Sequence, residues 1–103
     1  MKKYKVEITN EAINDLEKIY LYIAKSLLSP EVASGQYERI TQSILKLATM
    51  PERYGLIKLE PEHSSGLRIM PVDNYSIIYV VKHKSVVVTN ILYSASDIHH
   101  RLS

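Results

Sequence analysis

Two runs of apolar residues at spacings of three and four, separated by Ser29-Pro30-Glu31, constrain this chain more than any other feature. Ala12, Ile13, Leu16, Ile19, Tyr20, Ile23 and Leu27 form the first stripe, which predicts an amphipathic helix running to about residue 28. Asp15, Glu17, Lys18 and Lys25 fall to its other side. Val32, Ala33, Tyr37, Ile40, Ile44 and Leu47 form the second stripe, which ends near Met50-Pro51. Two helices joined by so short a link fold back as an antiparallel hairpin. Thr9 and Asn10 suit the N-cap of the first helix, with Glu11 at its positive end. Ser29 suits the cap of the second, and Pro30 fits the first helical position, where its missing N–H costs nothing. Gly35, inside the second helix, is read as close packing against the first.

The rest of the chain supplies a sheet for the hairpin to cover. From Lys3 to Ile8 polar and apolar residues alternate, so that Tyr4, Val6 and Ile8 face one way, as in a half-buried strand. Leu67–Val72, Tyr75–Lys82 and Val86–Tyr93 are rich in Val, Ile and Tyr and are separated by the turn candidates Asp73-Asn74 and His83-Lys84-Ser85. Links that short predict antiparallel neighbours and hence a three-stranded meander. Residues 51–66 lack periodicity and read as a loop, with a short extended piece at Leu56–Leu59. Ser96 or Asp97 caps a final helical turn over Ile98-His99-His100-Arg101-Leu102. The expected fold is α+β in the order β-α-α-β-β-β. It is an antiparallel sheet with an N-terminal strand, a helical hairpin on one face, a C-terminal meander and a short C-terminal helical turn, in a single domain over residues 1–103. The meander is apolar on both faces, with Ile77, Tyr79 and Val81 on one and Ile78 and Val80 on the other. Part of the second face is therefore expected to be covered or sticky.

Composition removes several chemistries. There is no cysteine, which excludes disulfides, thiolate metal sites and a Cys nucleophile. The three glycines, Gly35, Gly55 and Gly66, are too scattered for a phosphate loop or a dinucleotide fingerprint. His99 and His100 are adjacent, so they point apart on a helix and do not chelate as an i, i+4 pair does. No metal and no cofactor is expected. No apolar run approaches the roughly 20 residues that span a bilayer, and no signal peptide is evident. The expectation is a cytoplasmic protein without a membrane partner.

The formal net charge is +2, from 13 Lys+Arg against 11 Asp+Glu. Residues 66–103 carry all of it, with Arg68, Lys82, Lys84 and Arg101 against Asp73 and Asp97. These four cations are the candidates for binding a target or a nucleic acid, although Lys82 and Lys84 flank a hairpin tip, where charge is expected in any case. All eight aromatic residues are Tyr. Tyr20 and Tyr37 read as core of the helix stripes, whereas the hydroxyls of Tyr75, Tyr79 and Tyr93 call for partners. Antiparallel pairing is expected to bring Arg68 near Tyr93 and the tail. Arg68, Tyr93, His99 and His100 then form a candidate catalytic set for RNA cleavage. His or Tyr would move the 2′-hydroxyl proton or protonate the leaving oxygen, and Arg would stabilise the phosphorane. The same residues suit passive phosphate binding.

Several motifs together resemble the toxins of the RelE/ParE superfamily, in order and over nearly the whole chain. Ala12-x-x-Asp15-Leu16-x-x-Ile19-x-x-Tyr22-Ile23-Ala24 is similar to the family's first helix, and Ser29-Pro30-Glu31-x-Ala33 to its hairpin turn. Ile40 to Leu47 and Met50-Pro51-Glu52-Arg53 resemble the second helix and its exit. Gly66-Leu67-Arg68, Val72-Asp73-Asn74-Tyr75, Ile77-Ile78-Tyr79-Val80-Val81 and Ile91-Leu92-Tyr93 through Asp97 resemble the three strands and their links. The resemblance implies the toxin of a type II toxin–antitoxin module, partnered by a small antitoxin. One branch, RelE-like, cleaves mRNA at the ribosome. The other, ParE-like, has a longer hairpin and inhibits DNA gyrase without a nuclease site. The long hairpin and Tyr22-Ile23-Ala24 resemble the second branch. Ser76 and Ser96 stand where RNA-cleaving relatives commonly have Arg. The implied function is growth inhibition through gyrase. The alternatives are a ribosome-dependent mRNA endoribonuclease and a non-catalytic adaptor or decayed toxin.

Overall fold

A computed structural model describes residues 3–58 and 60–93. The chain begins with β1 (Lys5–Ile8) and passes into α1 (Asn10–Leu21). Thr9 is the N-cap, its hydroxyl oxygen accepting from the Ala12 N–H at 3.1 Å, and Glu11 sits in the first turn as expected. The helix does not hold its pitch to residue 28. Tyr22–Ser26 form a π-helical turn, closed by an i→i+5 bond from the Leu27 N–H to the Tyr22 carbonyl at 3.2 Å. The wider turn shifts the phase of the apolar stripe, so Leu27 swings out to 57% exposure and Leu28, at φ 51°, to 83%.

The second helix, α2 (Pro30–Leu45), starts with Pro30 in its first turn. Ser29 does not cap it by its side chain; its carbonyl accepts from the Ala33 N–H instead. Ala33, Ile40, Ile44 and Leu47 are buried as the stripe predicts, whereas Val32 and Tyr37 are exposed. Tyr20 and Tyr37 meet edge-on across the hairpin, with ring centroids 6.1 Å apart. They brace the two helices at the surface and are not core.

The sheet contains β2 (Leu67–Val72), β3 (Tyr75–Val81) and β4 (Ser85–Leu92), in the order β1-β4-β3-β2. The meander is antiparallel throughout. The first strand joins it parallel to β4, with Lys5 opposite Ser85 and Ile8 opposite Val88, so the sheet as a whole is mixed. A parallel partner is available because the entire hairpin and meander intervene, which is ample chain for a crossover. The helices cover one face: Ala12, Leu16, Ile40, Ile44 and Leu47 pack on Met70, Ile77, Tyr79, Val86, Val88 and Ile91. Each fully buried Leu, Ile or Val there contributes about 1.5–3 kcal/mol.

A bulge between Ile78 and Tyr79 leaves Thr89 as the extra residue on β4. It flips the strand's alternation, so Ile91 joins Val86 and Val88 in the helix-side core and Leu92 faces the other side. There Ile78 and Leu92 pack with Ile57, flanked by Leu67 and Ile69. The expected cover for this second face therefore comes in part from the 51–66 segment. The expected extended piece is paired at its first two residues: Leu56 bridges Arg68, and the Ile57 N–H donates to the Leu67 carbonyl at 2.8 Å. The C-terminal helical turn expected after Ser96 lies outside the described residues, as does Leu59.

Gly35 is not pressed against α1. A methyl group there would meet the Arg39 Nη1 at 3.3 Å. Arg39 uses that space to reach the β2–β3 turn, where its Nε donates to Asp73 Oδ2 at 2.8 Å, beside the Gln36 amide at 3.0 Å. These two donors hold the Asp73 carboxyl below the usual range. Gly35→Ala is expected to raise folding stability by about 0.5 kcal/mol, read as a higher urea midpoint. The helix-propensity gain of roughly 1 kcal/mol outweighs a small shift of a flexible guanidinium. A lower midpoint would show that the Arg39 position is fixed.

Candidate functional site

The sheet ends divide the candidate residues between two places. At one end lie the starts of β1, β2 and β4 and the end of β3. Here the Tyr79 ring is fully buried, and its hydroxyl donates to the Pro51 carbonyl at 2.6 Å. Burial pushes the phenol up to about 12, against the opposing field of Arg68, so this hydroxyl is a structural clasp on the 51–53 turn. Arg68 stands opposite Tyr79 in the register. Its Nη1 donates to the Tyr54 carbonyl at 2.7 Å and to the Glu52 carbonyl at 3.4 Å. The Nη1 edge of the guanidinium is thus turned onto the loop that follows α2. The Arg53 guanidinium in turn lies 5.9 Å from the centre of the Tyr54 ring.

At the other end, Tyr75 and Tyr93 meet edge-on with centroids 5.6 Å apart. They line an open groove of about 680 Å³ between the hairpin, the start of β3 and the end of β4, whose walls include Tyr22, Ile23, Leu27 and Val32. Burial, with Tyr93, Tyr22 and Asp73 nearby, raises the Tyr75 phenol above its ordinary value. A phenol held protonated in this way is a poor general base at neutral pH.

The expectation that Arg68 approaches Tyr93 is corrected by this register. Arg68 pairs with Tyr79, whereas Tyr75, the neighbour of Tyr93, pairs with Val72. Four strand residues separate the two positions, on the order of 13 Å along the sheet. Lys82 and Lys84 are exposed at the β3–β4 tip, at the Arg68 end and away from Tyr93. His99, His100 and Arg101 lie outside the described residues. Among the described residues no group of three or more His, Asp or Glu side chains is placed to hold a metal ion, and no helix is long and apolar enough to cross a membrane.

The residue that sequence reasoning missed is Asp15, assigned to the polar side of α1 but only 4% exposed. Strand β1 stops opposite Val88, so the outer edge of β4 beyond that point has no strand neighbour. The start of α1 replaces it. The Thr9 hydroxyl donates to the Thr89 carbonyl at 3.2 Å, and Asp15 Oδ2 accepts from the Ile91 N–H at 3.0 Å. The signal was in the spacing: Asp15 is three residues from Ala12 and four from Ile19, which puts it on the stripe.

A family model described as "ParE toxin of type II toxin-antitoxin system, parDE" matches residues 6–98. No curated protein matches significantly. Among solved structures, the chain is similar to one titled as the chromosomal ParDE toxin–antitoxin system from P. aeruginosa, at 22% identity and a TM-score of 0.75, covering 89% of this chain and 97% of that one. It is also similar to a chain of the toxin–antitoxin complex RelBE2 from Mycobacterium tuberculosis, at 20% identity and a TM-score of 0.65, covering 92% and 95%. A third likeness is to the archaeal RelE–RelB complex from Pyrococcus horikoshii OT3, at 20% identity and a TM-score of 0.58, covering 90% and 97%. At these identities the structural likeness shows the fold.

Proposed function

The chain belongs to the ParE toxin family of type II toxin–antitoxin systems, and from that premise we propose that it arrests bacterial growth by binding DNA gyrase, without cleaving RNA. The observation that carries this reading is the position of Arg68. A phosphate-stabilising arginine has to present free N–H groups to the reacting centre. The Arg68 Nη1 donates to two main-chain carbonyls of the 52–54 loop, and Tyr93 lies at the far end of the sheet, against Tyr75. Ser76, where RNA-cleaving relatives commonly carry Arg, is 6% exposed.

A cognate antitoxin is part of the proposal. The groove beside Tyr75 and Tyr93 and the exposed Leu27, Leu28 and Val32 around the hairpin turn form apolar surface of the kind that an amphipathic partner segment covers. The free toxin is then less soluble than its complex.

Purified chain is expected to inhibit gyrase supercoiling of relaxed plasmid. Tyr93→Phe, which keeps the ring and removes the hydroxyl, is expected to inhibit at the same concentration. Active gyrase that is unaffected by excess chain would overturn the gyrase target. Loss of growth inhibition in Tyr93→Phe, together with new mRNA 5′ ends in coding regions after induction of the unaltered chain, would establish cleavage instead.

A further inference from the structure

The fold gathers lysines that the sequence scatters. Lys5 pairs with Ser85 across the parallel β1–β4 ladder, and its N–H donates to the Lys84 carbonyl at 2.9 Å. Lys82 stands across the same tip, its N–H donating to the Ser85 carbonyl at 2.8 Å. Lys3, two residues before Lys5, bridges Thr49. Four lysines, two from each end of the described chain, therefore stand at one end of the sheet. All four are exposed, and the single close ion pair found among the described residues, Arg39–Asp73, is elsewhere. His83 at the tip adds an exposed imidazole. Glu7 bounds this surface farther along β1, opposite Val87, and Glu52 bounds it on the 51–53 turn.

We infer that this lysine-rich end is a contact for the phosphate backbone of duplex DNA, made without reading its sequence. Three observations favour that ligand. The cations are lysines on flexible stems, point charges that neutralise phosphates and do not fork onto a base edge as Arg does. Their main chains stand on the neighbouring strands β1, β4 and β3, one to two strand spacings or about 5–10 Å apart, close enough for several of them to meet one stretch of a backbone that carries a charge about every 3.4 Å of axis on each strand. Among the described residues no well-exposed aromatic ring stands with them: Tyr4, between Lys3 and Lys5, is partly buried. Single-stranded nucleic acid is gripped by base stacking on such rings. The inference goes beyond the gyrase reading and does not depend on it. If both hold, the toxin meets its target enzyme and the DNA on that enzyme at once.

The test is fluorescence anisotropy of a short labelled mixed-sequence duplex with the full chain, across a salt series. Binding is expected with a dissociation constant of about 1–100 μM near physiological salt. If about four phosphates are neutralised, the slope of log K against log salt is about −3.5. Lys82→Gln/Lys84→Gln is expected to weaken binding about tenfold and bring the slope to about −2. Lys3→Gln/Lys5→Gln, on the other strand, is expected to do the same, while Lys18→Gln/Lys25→Gln on α1 and the turn after it leaves binding unchanged. Circular dichroism confirms that each variant is folded. Absence of a salt slope, equal binding by the tip variant, or tighter binding to a single strand would each overturn the inference. So would a tip variant that loses gyrase inhibition but keeps duplex affinity, because the patch would then contact protein. Duplex binding without any effect on supercoiling would support the DNA contact while removing the gyrase target, so the two failures are separable.

Discussion

Asp15→Leu is expected to lower folding stability by about 2–3 kcal/mol, measured by urea unfolding. For a chain of this size that corresponds to a fall of about 10–20 °C in Tm. The substitution places an apolar side chain of similar reach where a buried carboxylate accepts from the Ile91 N–H at 3.0 Å. The backbone donor is then left inside without an acceptor, at a cost of about 1–3 kcal/mol, and the outer edge of β4 loses the group that closes it beyond β1. Asp15→Asn keeps a carbonyl oxygen in the same place and is expected to lose only about 1 kcal/mol. The ordering of the two variants is the informative result. If Leu were tolerated as well as Asn, the view that α1 completes the ladder would be wrong.

Tyr79→Phe is expected to cost about 1–3 kcal/mol at neutral pH, because it strips the donor from the Pro51 carbonyl and leaves that oxygen unpaired. The effect carries a pH signature. Folded, the phenol is pushed up to about 12; its ordinary value is 10.0. Above about pH 10 the unfolded chain releases this proton while the folded chain retains it. Stability from Tyr79 is therefore fully present below about pH 10 and declines as pH rises toward about 12, by at most about 1.4 kcal/mol per pH unit. The advantage of the unaltered chain over Tyr79→Phe should narrow across that window in parallel unfolding curves. A gap that stays constant from pH 8 to 12 would show that the hydroxyl titrates normally and is not clasped.

The parts of this fold that were legible in the sequence are those set by local chemistry. The cap at Thr9, the alternation at Tyr4 to Ile8 and the short links of the meander each need only their neighbours in the chain. Ala12, Leu16, Ile40 and Ile44 are buried as their spacing requires. What could not be read depends on where the strands lie. Nothing local says that β1 joins β4 in parallel, and without that order Lys5 has no reason to be placed beside Lys84. Nothing local announces the π-helical turn, which takes Leu27 off the stripe. Asp15 was misassigned because a carboxylate was sorted by charge rather than by its position, and a strand edge without a partner is visible only once β1 is seen to end.

The candidate site divides in the same way. The sequence marks Arg68 as a candidate for phosphate or target binding and Tyr79 as a hydroxyl in need of a partner. Their partners are main-chain carbonyls of the 51–54 turn, acceptors that every residue carries and that no motif marks. The net charge was assigned to the last third of the chain because the count was made along the sequence. Folding redistributes it, bringing Lys3 and Lys5 to the tip lysines.

The parallel pairing of β1 with β4 has a consequence for synthesis. The strand made first has its only sheet neighbour among the last strand residues to leave the ribosome, some 80 positions later, from Lys5 to Ser85. Closing so long a separation is slow compared with local folding, and it cannot begin until translation has passed residue 88. A chain that ends between α2 and β4 keeps the hairpin but leaves β1 without its ladder and Asp15 without the Ile91 N–H. An incomplete chain therefore cannot assemble the sheet on which both described ends of the molecule are built.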